Sequence, residues 1–174
     1  MALEIERKFL VDQTKWPRER MIFLADRVFD MKQAYLPSGK GVTVRVRTRE
    51  ILRDQAGTHP KHEAFLTIKG PSKGISRPEY EYPIPYEDAV EMMQLSDKPT
   101  ISKLRHELRV GNHTWEVDSF TEGGNKGLIL AEIELSDEDE EFQKPEWLGE
   151  EVSHDSRYSN SKLAVNPWNE WKDK

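Results

Sequence analysis

The sequence predicts a mainly β (α+β) domain: about eight strands in an antiparallel sheet, with a few peripheral helices. Three observations carry this. Short segments of alternating character recur along the chain, tight turns join most of them, and nearly every segment sets a pair of strong charges two residues apart. Alternate side chains of a strand share a face, so each such pair points one way while the apolar partners point the other. Successive hairpins favour antiparallel pairing, and a sheet of eight strands can close into a barrel around side chains or one small ligand.

The first strand is Glu4 to Val11, with Glu4, Glu6 and Lys8 on one face and Leu3, Ile5 and Phe9 on the other. Arg7 interrupts the apolar side, so that side must reach solvent somewhere. Residues 12–30 read as a mixed linker punctuated by Trp16-Pro17, with a short helical turn over 18–26. Met31 to Leu36 reads as a second strand, closed by a turn over 37–41. Val42 to Glu50 is the clearest strand: Val42, Val44 and Val46 oppose Thr43, Arg45, Arg47 and Arg49. A polar loop over 53–62 leads to Glu63–Lys69, and a turn over 70–74 follows. Arg77 to Pro85 is extended, with Glu79 and Glu81 against Tyr80, Tyr82 and Ile84, and its two prolines place its end at an edge or bulge.

Glu87 to Leu95 has helical spacing through Ala89, Met92, Met93 and Leu95, and Pro99 stops it. Ile101 to Val110 sets Lys103, Arg105 and Glu107 against Leu104, His106, Leu108 and Val110; Gly111-Asn112 then makes a hairpin turn. Thr114 to Phe120 sets Glu116 and Asp118 against Trp115 and Val117, and Leu128 to Leu135 sets Glu132 and Glu134 against Ala131, Ile133 and Leu135. Residues 136–140 have the acidic character of a helix start, but a solvated acidic turn is the better reading. The tail LAVNPWNEWK reads as helical up to Pro167.

The 174 residues fit a single domain, 1–174, with no repeat or interdomain linker. A net charge of −6 argues against general affinity for nucleic acid or anionic membrane, while leaving room for a local basic cavity. The absence of cysteine excludes disulfides, thiolate metal sites and a cysteine nucleophile. The start MALEIERK has no apolar signal region and no run approaches transmembrane length, so the expectation is a soluble cytoplasmic protein. Homodimerisation is left open.

Collected together, the polar faces give Glu4-x-Glu6-x-Lys8, Arg45-x-Arg47, Lys69, Glu79-x-Glu81, Lys103-x-Arg105, Glu116-x-Asp118 and Glu132-x-Glu134. An ordinary solvated face is richer in Thr, Ser and Gln and scrambles its signs. If these faces line a barrel, cations and carboxylates share a confined space, where charges must pair or bind ions of opposite sign. Acidic pairs suit hard cations such as Mg²⁺ or Mn²⁺, and Arg and Lys suit phosphate oxygens. A ligand needing both is a metal-chelated polyphosphate.

The chain then resembles a known family. Glu4-Ile5-Glu6-Arg7-Lys8 is similar to the N-terminal ExExK signature of the CYTH, or triphosphate tunnel metalloenzyme, superfamily. The later motifs arrive in that family's order: VRVR at 44–47, TIKG at 67–70, EYE at 79–81, KLR at 103–105, EVD at 116–118, AEIEL at 131–135 and RYSNSKLA at 157–164. The resemblance implies a closed eight-stranded antiparallel tunnel, charged inside, that takes a triphosphate. It implies metal binding by Glu4, Glu6, Glu132 and Glu134, with Glu116 and Asp118 supporting a second metal or its water. It implies phosphate binding by Lys8, Arg45, Arg47, Lys69, Lys103 and Arg105, with Lys162 a looser match. Catalysis is expected from Glu4, Glu6, Lys8, Glu132 and Glu134, with Mg²⁺ or Mn²⁺ as cofactor. Glu79 and Glu81 suit either metal or pairing with neighbouring Arg, and pairing is favoured.

Members of the family hydrolyse tripolyphosphate, thiamine triphosphate or nucleoside triphosphates, or cyclise ATP, so fold alone does not fix the substrate. Class IV adenylate cyclases carry a His-Phe pair before ExExK, where this chain has Met1-Ala2-Leu3. The chain is more similar to the short bacterial tripolyphosphatases and, over EIERKFLV, to the thiamine triphosphatases, and no fused helical partner is expected after the tunnel. The favoured expectation is therefore metal-dependent hydrolysis of inorganic tripolyphosphate to phosphate and pyrophosphate. Its rivals are a cyclase, a thiamine or nucleoside triphosphatase, and a polyphosphate- or nucleotide-binding module without turnover. Other features carry less. The HxxH of His59 and His62 reads as a surface loop, His106 and His113 as structural, and Trp115 as packing outside the barrel. Lys73 and Arg77 flank a glycine-bearing loop that could touch phosphate at the tunnel mouth.

Overall fold

A computed structural model describes residues 3–57 and 61–174. His59 and the segment Met1-Ala2 therefore lie outside the described residues. The strands are β1 (Leu3–Val11), β2 (Arg27–Leu36), β3 (Thr43–Asp54), β4 (His62–Lys69), β5 (Ser76–Pro83), β6 (Ile101–Val110), β7 (His113–Phe120), β8 (Ile129–Glu134) and β9 (Leu148–Glu151). The helices are α1 (Met21–Leu24), α2 (Tyr86–Met93) and α3 (Asn160–Val165). All pairings are antiparallel in the order β5-β4-β3-β2-β6-β7-β8-β1. The barrel closes where Leu3, Glu4 and Ile5 of β1 pair with Pro78, Arg77 and Ser76 of β5.

Several boundaries differ from the sequence reading. The second strand starts at Arg27, not Met31, so the end of the expected linker is paired to β3 and β6. β3 runs on to Asp54, which shortens the expected loop. A ninth strand, β9, lies against Phe9 and Val11 of β1 and was not foreseen. There the backbone approaches closely: a Cβ on Gly149 would sit 2.8 Å from the Leu10 carbonyl oxygen. Residues 136–140 form a turn in which Glu140 accepts from the Ser136 backbone N–H. The last helix begins at Asn160 because the Ser159 side chain caps it by accepting from the Lys162 N–H, and it ends at Val165. Among the described residues no helix is long and apolar enough to cross a membrane.

Apolar packing sits mostly on the barrel's outside. Ile5 and Phe9 of β1, Trp115 and Val117 of β7, and Ile133 of β8 face outward and are covered by Trp16, Met21 and Trp147 from the connecting segments. α2 covers Val46 and Ala64 with its buried Ala89. Arg7, on this apolar side, lies over Phe142 and pairs with Glu151 at 2.7 Å, so its charge stays at the surface. Trp115 is fully buried and meets Phe9, Phe142 and Trp147 edge-on, with ring centroids 5.6–5.8 Å away. Trp115→Ala is expected to cost about 3–5 kcal/mol of unfolding free energy in a urea titration; a loss below about 1 kcal/mol would show that this layer does not hold the barrel.

The inward faces are not charged throughout. Leu10, Ile101, Phe120 and Leu130 continue the alternation of Lys8, Lys103, Asp118 and Glu132, and they pack with Tyr35 and with Leu163 and Ala164 of α3. One end of the interior is thus filled by apolar side chains and the C-terminal segment. Phe29 and Met31 of β2, paired with Arg105 and Lys103, add fully buried apolar side chains on the same face, and the charged residues share the remainder with them.

Candidate active site

The charged part of the barrel encloses a cavity of about 160 Å³. Six cationic side chains line it (Lys8, Arg45, Arg47, Lys69, Arg77 and Arg105), facing seven glutamates (Glu4, Glu6, Glu79, Glu81, Glu116, Glu132 and Glu134). Strand register brings them together. Lys8 lies opposite Glu132 and Glu6 opposite Glu134 on the β1–β8 pair, while Glu116 lies opposite Glu132 on β7–β8. Tyr35, Thr43, Ser159, Asn160 and Ser161 complete the wall.

The two signs neutralise one another. Lys69 Nζ donates to both oxygens of Glu4, at 2.7 and 2.9 Å, and lies 3.3 Å from Glu79. Arg77 Nε also donates to Glu4, at 2.9 Å, across the β1–β5 closure. Burial alone would raise the Glu4 carboxyl, but Lys69 and Arg77 hold it well below the usual carboxylate range. Lys8 Nζ is 3.1 Å from Glu132, 3.8 Å from Glu6 and 3.3 Å from the Tyr158 carbonyl oxygen. Glu132 is likewise held low: burial pushes its carboxyl up, and Lys8 and Arg105 overcome this.

Glu6 behaves differently. Burial and the neighbouring Glu132 push its carboxyl up to about 8, and Lys8 only partly offsets them. Burial together with Glu4 lifts Glu79 to about 7. Glu6 and Glu79 are therefore the carboxyls short of neighbouring positive charge. Among the described residues no three acidic or histidine side chains form a ready-made cage for a metal. The oxygen-only donor set and the raised Glu6 carboxyl nevertheless fit a hard divalent cation, which would take the place of a proton.

On the opposite side, Arg45 Nη2 donates to Thr67 Oγ1 at 3.1 Å and lies 3.4 Å from Glu81, while its Nε is buried with no acceptor among the described residues. Burial and the neighbouring Arg45 and Arg105 lower Arg47 to about 9. Arg47 Nε donates to Gln33 Oε1 at 3.3 Å, and Gln33 Nε2 donates to Tyr35 Oη at 2.9 Å. An unused buried donor and crowded guanidinium groups mark a place for an anion.

Not every expected residue reaches the cavity. Glu4, Glu6, Lys8, Arg45, Arg47, Lys69, Arg105, Glu116, Glu132 and Glu134 line it. Lys103 and Asp118 do not: they lie behind the wall, and Lys103 Nζ is 2.5 Å from Asp118 Oδ2 and 3.1 Å from Asn160 Oδ1. Lys162 is exposed and lines a neighbouring vestibule of about 380 Å³, which shares Glu4, Glu6, Lys8 and Arg77 with the cavity. Gly and Ser make up eight of that vestibule's eighteen lining residues, and among the described residues no Phe, Tyr or Trp lines it. Glu79 and Glu81 pair with Lys69 and Arg45. Gln33, Tyr35, Ser159 and Asn160 went unnamed as site residues in the sequence reading, although the i, i+2 spacing of Gln33 and Tyr35 places both on one face. Arg77 lines the cavity as well as the vestibule, deeper than a mouth contact. His62 lies at the start of β4 with its ring against Tyr86.

The model of the family described as "CYTH domain" matches residues 2–164. A protein named inorganic triphosphatase from Acetivibrio thermocellus is 43% identical over 174 residues, covering 99% of this chain and all of the relative. Another inorganic triphosphatase, from Nitrosomonas europaea, is 32% identical over 165 residues, covering 93% of this chain and 97% of the relative. The crystal structure of the inorganic triphosphatase NE1496 superposes with a TM-score of 0.59 at 29% identity, covering 95% of this chain and 96% of that one.

Proposed function

The chain belongs to the CYTH family, and from that premise we propose that it is an inorganic triphosphatase, a hydrolase that cleaves tripolyphosphate to phosphate and pyrophosphate in the tunnel. The observation that carries the reading is the cavity itself, where six cations face seven glutamates with little apolar surface between them. The lining of the cavity is almost wholly charged and polar, which favours a compact inorganic chain. Among the described residues the vestibule has no Phe, Tyr or Trp for a nucleobase or thiazolium ring to stack on, and His154 is the aromatic side chain in its lining.

Glu4, Glu6, Glu132 and Glu134, with Glu116 beside them, would hold a divalent cation, Mg²⁺ or Mn²⁺. When bound, that cation supplies charge neutralisation and Lewis-acid assistance to hydrolysis. The protein's own groups do the rest. Lys8, Arg45, Arg47, Lys69, Arg77 and Arg105 cradle the phosphate oxygens and orient the chain for in-line displacement. Water adds to a terminal phosphorus, and the bridging P–O bond breaks. No protein nucleophile is required, since positioning and charge stabilisation supply most of the catalysis in phosphoryl transfer.

The test incubates the protein with tripolyphosphate, ATP and thiamine triphosphate, with and without Mg²⁺, and measures phosphate and cyclic AMP. Phosphate release is expected from tripolyphosphate above the other two and only with metal. Cyclic AMP from ATP, or hydrolysis in excess EDTA, would overturn the reading.

A further inference from the structure

The geometry points to a role for Asp118 that the charge pattern conceals: we propose that it is a positioning residue that fixes Arg105 for phosphate, and that it holds no metal. This rests on the triphosphatase reading of the cavity. Glu116 and Asp118 are two residues apart on β7, but their side chains are 37% and 1% exposed. Glu116 opens onto the cavity and Asp118 does not. Both Asp118 oxygens are committed to cations. Oδ1 accepts from Arg105 Nε at 2.8 Å, and Oδ2 accepts from Arg105 Nη2 at 2.8 Å and from Lys103 Nζ at 2.5 Å. Glu4 is also paired to two cations but opens onto the cavity, where an incoming cation has room to displace them. Asp118 is closed off from it, and a divalent cation there would sit against two buried positive charges, a costly arrangement in a poorly solvated interior.

The same bonds explain what Asp118 does. A bidentate carboxylate grips one edge of the planar guanidinium and fixes its rotation. The Nε–Nη2 edge of Arg105 is thereby turned to the wall, and Nη1 is left toward the cavity, 2.7 Å from Glu116. Asp118 also balances Lys103, whose Nζ reaches Asn160 of the C-terminal segment. Arg105 can then meet phosphate without reordering when the substrate arrives.

The experiment is a double-mutant cycle of Asp118→Asn and Arg105→Gln, read as kcat and KM for tripolyphosphate, together with Mn²⁺ binding to the substrate-free protein by electron spin resonance. Asp118→Asn is expected to lower kcat/KM at least tenfold, mainly through KM. In the Arg105→Gln background it should change kcat/KM by less than about threefold, because coupled neighbours are not additive. Mn²⁺ affinity should stay within about twofold of the parent, whereas loss of a metal-site group typically costs about 10–100-fold. Loss of Mn²⁺ affinity on that scale, or an undiminished effect in the Arg105→Gln background, would overturn the proposal. Melting curves check folding. If Asp118→Asn does not fold, Lys103→Met/Asp118→Asn keeps the buried charge balanced and is carried through the same cycle and Mn²⁺ titration. If the parent does not hydrolyse tripolyphosphate, it is the triphosphatase reading that fails. The cycle is then read on calorimetric binding of tripolyphosphate in EDTA, with the same outcomes.

Discussion

Glu6→Gln is expected to abolish most tripolyphosphate turnover while leaving the fold as stable as the parent or more so. The two halves of this result have one cause. Glu6 faces Glu132 in the cavity, and burial and that neighbour push its carboxyl up to about 8. Its folded-state value lies above the unfolded one, so between about pH 4.5 and 8 the folded protein binds the extra proton. Stability therefore falls as pH rises through that window, because the native state must then surrender the proton or carry a poorly compensated charge. A glutamine keeps the neutral shape and removes the pH-dependent penalty. Melting temperatures of the two proteins should be alike near pH 5, with the variant ahead by pH 8. Catalysis goes the other way, because the charge that is poorly compensated in the cavity is the charge that would hold the divalent cation. The expected loss of kcat is at least about a hundredfold, the scale seen when one preorganised electrostatic element is removed. Glu4→Gln should lose as much activity but also stability, since it strips Lys69 and Arg77 of a partner that both hold within 2.9 Å. Arg45→Ala should act mainly on KM. Near-normal phosphate release from both glutamate variants would remove these residues from the metal site.

The contrast between Glu6 and Asp118 shows how far sequence reaches. Alternation along β1, β7 and β8 is enough to group Glu4, Glu6, Glu116, Glu132 and Glu134 on the polar faces of their strands, because a strand has only two faces; that those faces turn inward comes from closure of the barrel. Alternation says nothing of depth. Glu116 and Asp118 share a face and a motif, and the structure separates them by register and burial: Asp118 lies across from Arg105 on β6 and is enclosed by it, while Glu116 faces the cavity. The start of β2 escaped notice for a related reason. Val28 and Phe29, on opposite faces, are both fully buried, so the stretch does not alternate apolar with polar and the period-2 signal vanishes. β9 has only four residues, and its pairing to β1 depends on a glycine that lets two backbones approach. The apolar filling of one end was present as Leu10, Phe120 and Leu130, each continuing a charged alternation. What closes over it is α3, set by tertiary contacts rather than by any local pattern.

Metal binding should depend steeply on pH, and Glu6 should be the reason. The cavity without metal is close to self-neutralised: Lys69 and Arg77 satisfy Glu4, and Lys8 and Arg105 hold Glu132 ionised. Glu6, raised to about 8, retains its proton at neutral pH, and a cation bound there must expel it. Below about pH 8 the Mn²⁺ affinity of the substrate-free protein should rise roughly tenfold per pH unit, flattening above that value, as one displaced proton requires. Glu79, lifted to about 7 beside Glu4, would steepen the dependence below that pH if its proton leaves as well. Calorimetry in two buffers of different ionisation enthalpy counts the protons directly: about one per Mn²⁺ is expected at pH 7.5, where Glu6 still holds most of its proton. The decisive comparison is Glu6→Gln, which has no proton to lose there. Its affinity should be weaker and nearly flat between pH 7 and 9. A pH dependence that survives unchanged in that variant would mean that the titrating group lies elsewhere in the cavity, and that the Glu6–Glu132 pair is not where the cation is received.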